Sequence, residues 1–449
     1  MKGARVPGWV WAVLLLVHAV GFAWTIDKEA WNFPDSGRYR QAGLNMRKQG
    51  QLYARAWPTE VPRGQAVQEF TIRPPGYPVI LNVLGSSQGS PWLALLFQNA
   101  LSLLALGTVL RWWARTAQPT GRHWLGAVGI VLLFPAQLIY ANAVMSELWL
   151  QVCLLGAVGS ALLFSITERL RYFVGGAAAI GLALLLKPVC FPLAAITAAA
   201  AGWLAWKRKR GVLLLVGMLP VLVAGLYMRW NEQRTGYFHF SSIAEINLLH
   251  YNAAGVVRQL DGPAAEENWV AGVLRGANAQ PDFAARQRLI QHQADSVILA
   301  HPFVYGRQHL MGMGAFLLDP GRFDISAFLG LQPLPGGGLL TQVRAVGWLA
   351  AMARLPLGML AVLGLLTLVN VVRLLLAVRG FVSLRHGPVE WRVARWLAVG
   401  LLGYLALLTG PLGAARFLVP AWPLLLGLAL LGLRGPTAPP ASGPIAASA

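Results

Sequence analysis

Long apolar runs, rather than any motif, set what this chain can fold into. Ten can be read: 8–24, 91–110, 124–141, 147–166, 172–186, 189–206, 211–228, 355–378, 396–411 and 418–433. Most approach the roughly 17–25 residues that cross about 30 Å of hydrocarbon at about 1.5 Å per residue. Inside a bilayer a spanning segment must satisfy its own backbone, and a helix does so within one segment. Charged residues make up 12% of the chain, about half the share usual in a soluble domain. The expectation is an all-α polytopic membrane protein with about ten transmembrane helices.

Charge placement orients these spans. The net charge of +20 would suit a nucleic-acid partner, but its distribution argues for membrane orientation instead. Basic blocks stand at Lys2/Arg5, Arg111/Arg115/Arg122, Arg169/Arg171, Lys207–Arg210, Arg379/Arg385/Arg392/Arg395 and Arg434. They follow alternate spans, so all fall on one face, as the positive-inside bias requires of a cytoplasmic side. Of 17 acidic residues, only Glu168 and Glu390 share that face.

This divides the chain into a signal-anchor helix (1–24), a first outer segment (25–90), helices two to seven (91–228), a large outer segment (229–354), helices eight to ten (355–433) and a disordered cytoplasmic tail (434–449). Residues 20–25 offer no small-x-small cleavage site, so the first helix reads as uncleaved. Both termini are expected in the cytoplasm of a bacterial inner membrane. Counting 303–318 as a span would break the charge parity. With Arg307 and His309 inside it, that stretch reads as an interfacial or re-entrant helix, and 341–354 as an amphipathic one. Cys153 and Cys190 lie within predicted spans and read as packing residues.

The expected cytoplasmic loops are short and carry no Walker lysine motif and no G-x-G-x-x-G. Chemistry is therefore expected on the outer face, with a donor carried by the membrane. The first outer segment holds Phe33-Pro-Asp-Ser-Gly-Arg-Tyr39, in which Asp35 can cap a helix and bring Arg38 onto the same face. Ile72-Arg-Pro-Pro-Gly-Tyr-Pro78 follows, its prolines stiffening the backbone around Arg73. A carboxylate beside arginines suits deprotonation of a hydroxyl next to a phosphate. The plainer reading is a solvated acid and two cations meeting headgroups. Ser146 suits an N-cap, and Glu147 the positive end of the fourth span; Glu147 could also orient a sugar. Lys187 and Arg416 are the basic residues of the short outer turns. Either they snorkel to headgroups or they hold a lipid phosphate. No D-x-D, H-E-x-x-H or Cys/His cluster supports a metal, and His239, His250, His301 and His309 are scattered.

Taken in order, these pieces resemble the GT-C integral membrane glycosyltransferases, closest to bacterial members of the family-39 type, which are related to protein O-mannosyltransferases and lipid A aminoarabinose transferases. The resemblance rests on Asp35-Ser-Gly-Arg-Tyr39, Gln49-Gly-Gln-Leu-Tyr53, Arg73-Pro-Pro-Gly-Tyr-Pro78, Met145-Ser-Glu147, Lys187-Pro188, Asn247–Asn252, His301-Pro302 and Arg416-Phe-Leu-Val-Pro420. It implies transfer of a sugar from a polyprenyl-phosphate-linked donor to a cell-envelope acceptor hydroxyl, with inversion. Asp35 would be the base, with Glu147 or Glu69 next in line. Arg38, Arg73, Lys187 and Arg416 would bind the donor phosphate, and Tyr39, Tyr77 and Glu147 would orient substrate. Ser36 stands where many relatives carry a second acid, and Ile72 where some are acidic; both departures weaken a metal site. The competing class is a flippase or transporter of lipid-linked sugars. It would carry polar groups at mid-membrane depth, whereas the span centres here read as almost purely apolar.

Overall fold

The computed structural model describes residues 5–331 and 347–436. Lys2, residues 341–346 of the expected amphipathic stretch and 437–449 of the expected tail lie outside the described residues. The architecture is all-helical and polytopic, with no strand among the described residues.

The first half of the chain runs through α1 (Gly8–Lys28), α2 (Ser36–Gln49), α3 (Gly76–Val83), α4 (Trp92–Ala117), α5 (Gly121–Leu132), α6 (Pro135–Ala141), α7 (Glu147–Thr167) and α8 (Leu170–Leu186). Among the described residues, eight helices are long and apolar enough to span a membrane. They are α1, α4, α7, Pro188–Arg208, Val212–Thr235, Leu357–Ser383, Val389–Leu412 and Ala415–Leu433. The other two expected spans take different forms. The run 124–141 breaks before Pro135 into α5 and α6, bent by 58°, because proline removes a hydrogen bond and clashes with the preceding turn. The run 172–186 forms α8, an apolar helix of 17 residues. The stretch 303–318 lies in a helix, Pro302–Leu318.

The span interiors are less apolar than expected. His18 Nε2 meets Ser102 Oγ at 2.9 Å, Gln137 Nε2 donates to the same Ser102 oxygen at 2.9 Å, and Gln137 and Gln151 exchange hydrogen bonds at 3.0 and 2.9 Å. These buried groups tie α1, α4, α6 and α7 into one polar seam. Arg373 is buried as well, and its guanidinium donates to Asn370 at 2.6 Å and to the Leu133 carbonyl at 3.1 Å. It thereby satisfies a carbonyl freed by the Pro135 break, and it stacks over Trp422 with its guanidinium carbon 4.6 Å from the ring centre. Each of these residues has a protein partner.

Between α1 and α4, and between Thr235 and Leu357, the chain builds shorter helices that fasten to one another. Arg234 donates to the carbonyls of Leu52 and Phe70 at 3.2 and 3.1 Å. Ser241 and Ser242 donate to the Thr71 and Gln68 carbonyls at 2.7 and 2.9 Å. The two segments thus clamp residues 68–72, just ahead of Arg73.

Close backbone packing holds Leu357–Ser383 against Trp422–Leu433. A Cβ on Gly380 would lie 1.9 Å from the Leu428 carbonyl oxygen, and one on Gly432 1.9 Å from that of Leu376. Small residues allow such approach in a bilayer, where the hydrophobic effect does not drive association. Gly432→Val should lower the thermal unfolding midpoint of the purified protein, as overpacking typically costs about 1–3 kcal/mol. Gly400→Val, at a position with nothing within 4 Å of the new Cβ, should leave the midpoint near wild type. Equal midpoints for both variants would contradict this packing.

Candidate active site

Five charged side chains from remote parts of the sequence meet at one end of the bundle. Asp35 holds the N-cap position of α2, yet its side chain caps nothing. One of its carboxylate oxygens accepts from Arg73, and the other accepts from Arg416 Nη2 at 2.6 Å. Glu147 opens α7, and its Oε1 accepts from Lys187 Nζ at 2.6 Å and from Arg416 Nε at 2.7 Å. Arg416 therefore bridges the two carboxylates. Three cations and two carboxylates leave the cluster one net positive charge.

Local sequence explains this convergence. Arg73 precedes two prolines and Gly76, and a Cβ on Gly76 would meet the Leu185 carbonyl oxygen at 2.5 Å. Only glycine lets the Arg73–Pro78 turn lie so close to the end of α8, where Lys187 follows. Arg416 sits in the four-residue helix Ala415–Leu418. Its first N–H, from Ala415, donates to Asp319 Oδ2 at 2.9 Å. The preceding turn packs on Gly312, where a Cβ would lie 2.0 Å from the Gly410 carbonyl oxygen.

The other sequence candidates lie elsewhere or deeper. The structure brings Arg73, Lys187 and Arg416 together but not Arg38. Arg38 turns to Glu69, with two bonds of 3.3 Å to its carboxylate oxygens. Tyr39 and Tyr77 are 2% and 0% exposed and pack edge to face with centroids 5.0 Å apart. The Tyr39 hydroxyl meets Ser146 Oγ at 3.3 Å, and Tyr77 donates to Gln98 at 2.7 Å. The Tyr39 ring lies beneath Arg73, whose guanidinium carbon is 5.4 Å from its centre, and Tyr77 packs against Tyr39. Ser146, expected to cap α7, makes no cap bond. Ser36 receives the Phe33 N–H at 2.9 Å and donates to the Val144 carbonyl at 3.0 Å. It pins the Asp35 turn to the strip ahead of Glu147. A carboxylate at this position would face carbonyl oxygens. Among the described residues, no three His, Cys, Asp or Glu side chains gather as a metal set.

Two buried atoms of the cluster lack a partner in the protein: Arg73 Nε and Glu147 Oε2. A buried donor and a buried acceptor left open at one place suit a ligand that brings both an anion and hydroxyls. The electrostatics at Asp35 are also decided. Burial pushes its carboxyl upward, but the Arg73 and Arg416 guanidiniums outweigh this and hold it at about 2.

No protein-family model and no curated protein matches the chain. Among solved structures it is similar to ArnT from Cupriavidus metallidurans, a lipid A aminoarabinose transferase. The apo crystal structure matches with a TM-score of 0.36 at 15% identity, over 95% of this chain and 78% of that one. The structure bound to undecaprenyl phosphate matches with a TM-score of 0.37 at 15% identity, over 96% and 78%. The apo oligosaccharyltransferase of Archaeoglobus fulgidus matches with a TM-score of 0.44 at 15% identity, over 94% of this chain and 50% of that one.

Sequence reading passed over one further acid. Asp324 is buried beside the cluster and accepts from the Tyr140 hydroxyl at 2.8 Å. Burial lifts its carboxyl to about 7, with Asp319 adding to the rise and the Tyr140 bond opposing it. The folded protein thus keeps this proton well above the pH at which an unfolded aspartate, with a pKa of about 3.9, loses it. Its contribution to stability is present below that value and is lost as pH rises toward about 7. Between about pH 5 and about pH 8, wild type should lose more thermal stability than Asp324→Asn, whose amide cannot ionise. Parallel pH profiles would show that Asp324 is not held protonated.

Proposed function

We propose that this protein is a membrane glycosyltransferase that moves a sugar from a polyprenyl-phosphate-linked donor to a cell-envelope acceptor hydroxyl, on the outer face of a bacterial inner membrane. Asp35 acts as general base and the sugar carbon is inverted. The observation that carries this reading is the single cluster in which Asp35 and Glu147 are bridged by Arg416 and flanked by Arg73 and Lys187. The resemblance of the Asp35, Arg73, Lys187 and Arg416 motifs to those of GT-C enzymes supports it.

The charges follow the chemistry. A sugar joined to a lipid through phosphate carries one negative charge, which the net positive charge of the cluster matches. As the acceptor oxygen forms its bond to the anomeric carbon, the sugar–phosphate C–O bond breaks and its electron pair leaves with the phosphate. The acceptor proton goes to Asp35. The departing phosphate gains a second negative charge as the cluster, with Asp35 neutral, gains a second net positive one. Arginine and lysine can stabilise that developing charge without a proton of their own.

A carboxyl held at about 2 is a feeble base at neutral pH. The reading resolves this by exchange. A donor phosphate that takes Arg73 and Arg416 frees Asp35 from both guanidiniums, and its basicity rises when the acceptor must be deprotonated. Glu147, fully buried, keeps Lys187 and Arg416 in place, and its open Oε2 is available to a sugar hydroxyl. A transporter reading draws on the polar seam at His18, Gln137 and Gln151, but those groups satisfy one another.

Asp35→Asn keeps the shape of the side chain and removes the base. Turnover of purified protein, measured with a panel of labelled polyprenyl-phosphate sugars, should fall by about 10²–10⁴-fold. Undecaprenyl phosphate binding should be retained. Near-normal turnover in the variant would overturn the assignment of Asp35.

A further inference from the structure

A second charged site stands beside the first and shares none of its pairs. On the other side of the Asp35 turn, an open cleft of about 550 Å³ is lined by Pro34, Gly37, Arg38, Gln41, Tyr53 and Arg55, among others. That volume lies within the range of small-molecule sites, roughly 300–1,000 Å³. Pro34 and Gly37 flank Asp35 and Ser36, so the turn that carries the proposed base forms part of the cleft wall. A Cβ on Gly37 would meet nothing within 4 Å, which leaves the approach to this turn clear.

Charge in the cleft is organised around Glu69, whose side chain is 1% exposed. Arg38 donates to it through Nε and Nη2, and Arg55 forms an ion pair with it, Nε lying 3.1 Å from Oε1. One buried carboxylate is thus shared by two guanidiniums, which leaves a net positive charge at the cleft. Arg55 is 62% exposed along its side chain, and its two terminal nitrogens donate no hydrogen bond among the described residues. The two ends of such a guanidinium suit planar, two-point recognition of a carboxylate or phosphate. Gln41 adds an amide to the same wall.

We infer that this cleft is an acceptor subsite that takes an anionic sugar, with Arg38 and Arg55 holding its carboxylate or phosphate; as an acceptor subsite it rests on the transferase reading above. Arg38 then serves the acceptor rather than the donor phosphate. Glu69 is a positioning residue: it aims both guanidiniums into the cleft and draws off part of their charge, so that binding stays reversible.

Binding tests this without any need for turnover. Protein in nanodiscs of zwitterionic phosphatidylcholine is titrated with glucose, glucose 6-phosphate and glucuronate by ligand-observed NMR, and with undecaprenyl phosphate separately. Wild type should bind the two anionic sugars and not glucose. Arg55→Gln, at an exposed position where folding is not at stake, should weaken both anionic sugars by at least about tenfold, the scale of one charge-assisted bond, and leave undecaprenyl phosphate unchanged. Glu69→Gln should tighten the anionic sugars, provided its melting temperature stays near wild type. Equal binding of glucose and glucose 6-phosphate, or unchanged affinity in Arg55→Gln, would overturn the inference. A matching loss of undecaprenyl phosphate in Arg55→Gln would hand the cleft to the donor and overturn it as well. These results stand apart from Asp35→Asn turnover, so a failed subsite and a failed transferase reading can be told apart.

Discussion

The bridge made by Arg416 between Asp35 and Glu147 is the interaction on which the rest of the site depends. It joins the first segment after α1, the start of α7 and the short helix that opens the last span, positions hundreds of residues apart. Buried charges are costly to desolvate, and an ion pair offsets that cost only with close geometry and further hydrogen bonds. Here each carboxylate has two cationic partners, and Arg416 serves both. Removing Asp35 would leave Arg73 without its acid, and removing Glu147 would leave Lys187 without its own, whereas losing any one cation still leaves each carboxylate a partner. The Gly76 contact with α8, the Gly312 contact with the 410–413 turn and the Asp319 cap on Ala415 all act on this one cluster.

The cluster also explains how a site can be stable and reactive at once. Without ligand its two carboxylates offset all but one of its three positive charges, and the cluster's buried atoms are partnered except Arg73 Nε and Glu147 Oε2. In the proposed reading an arriving phosphate competes for the same guanidiniums, and that competition is the activating event, since it returns to Asp35 the basicity that pairing with arginine removes. Arg38, Arg55 and Glu69 repeat the motif of a carboxylate shared between cations on the opposite side of the same turn. The Asp35 turn therefore lies between two clusters in which cations outnumber carboxylates.

How much of this could be read from sequence follows from the range of the forces involved. The spans were legible because the gain from moving an apolar residue into lipid is local and adds along a run. The break at Pro135 was not foreseen, although proline is a local signal, because the run around it is uninterrupted in hydropathy. His18, Gln137, Gln151 and Arg373 were averaged away by their apolar neighbours. Asp35 and Arg73 were singled out by their motifs in the first outer segment, and Glu147, Lys187 and Arg416 by position at span ends, but their pairing was not, since it depends on how the helices pack. Arg38 was grouped with Asp35 because three residues of separation places them near one face of a helix. The spacing holds, yet Asp35 turns toward Arg73 and Arg38 toward Glu69. Tyr39 and Tyr77 carry the same lesson: their motif marks the site, while their side chains support it from below.

The central claim is that donor phosphate and Asp35 exchange for the same two arginines. A cryo-EM structure of the purified protein in nanodiscs with undecaprenyl phosphate tests it most directly. The account predicts phosphate density within hydrogen-bond reach of Arg73 and Arg416, with both guanidiniums drawn off the Asp35 carboxylate and Glu147 still held by Lys187. Phosphate bound elsewhere, with the Asp35 pairs to Arg73 and Arg416 intact, would contradict it.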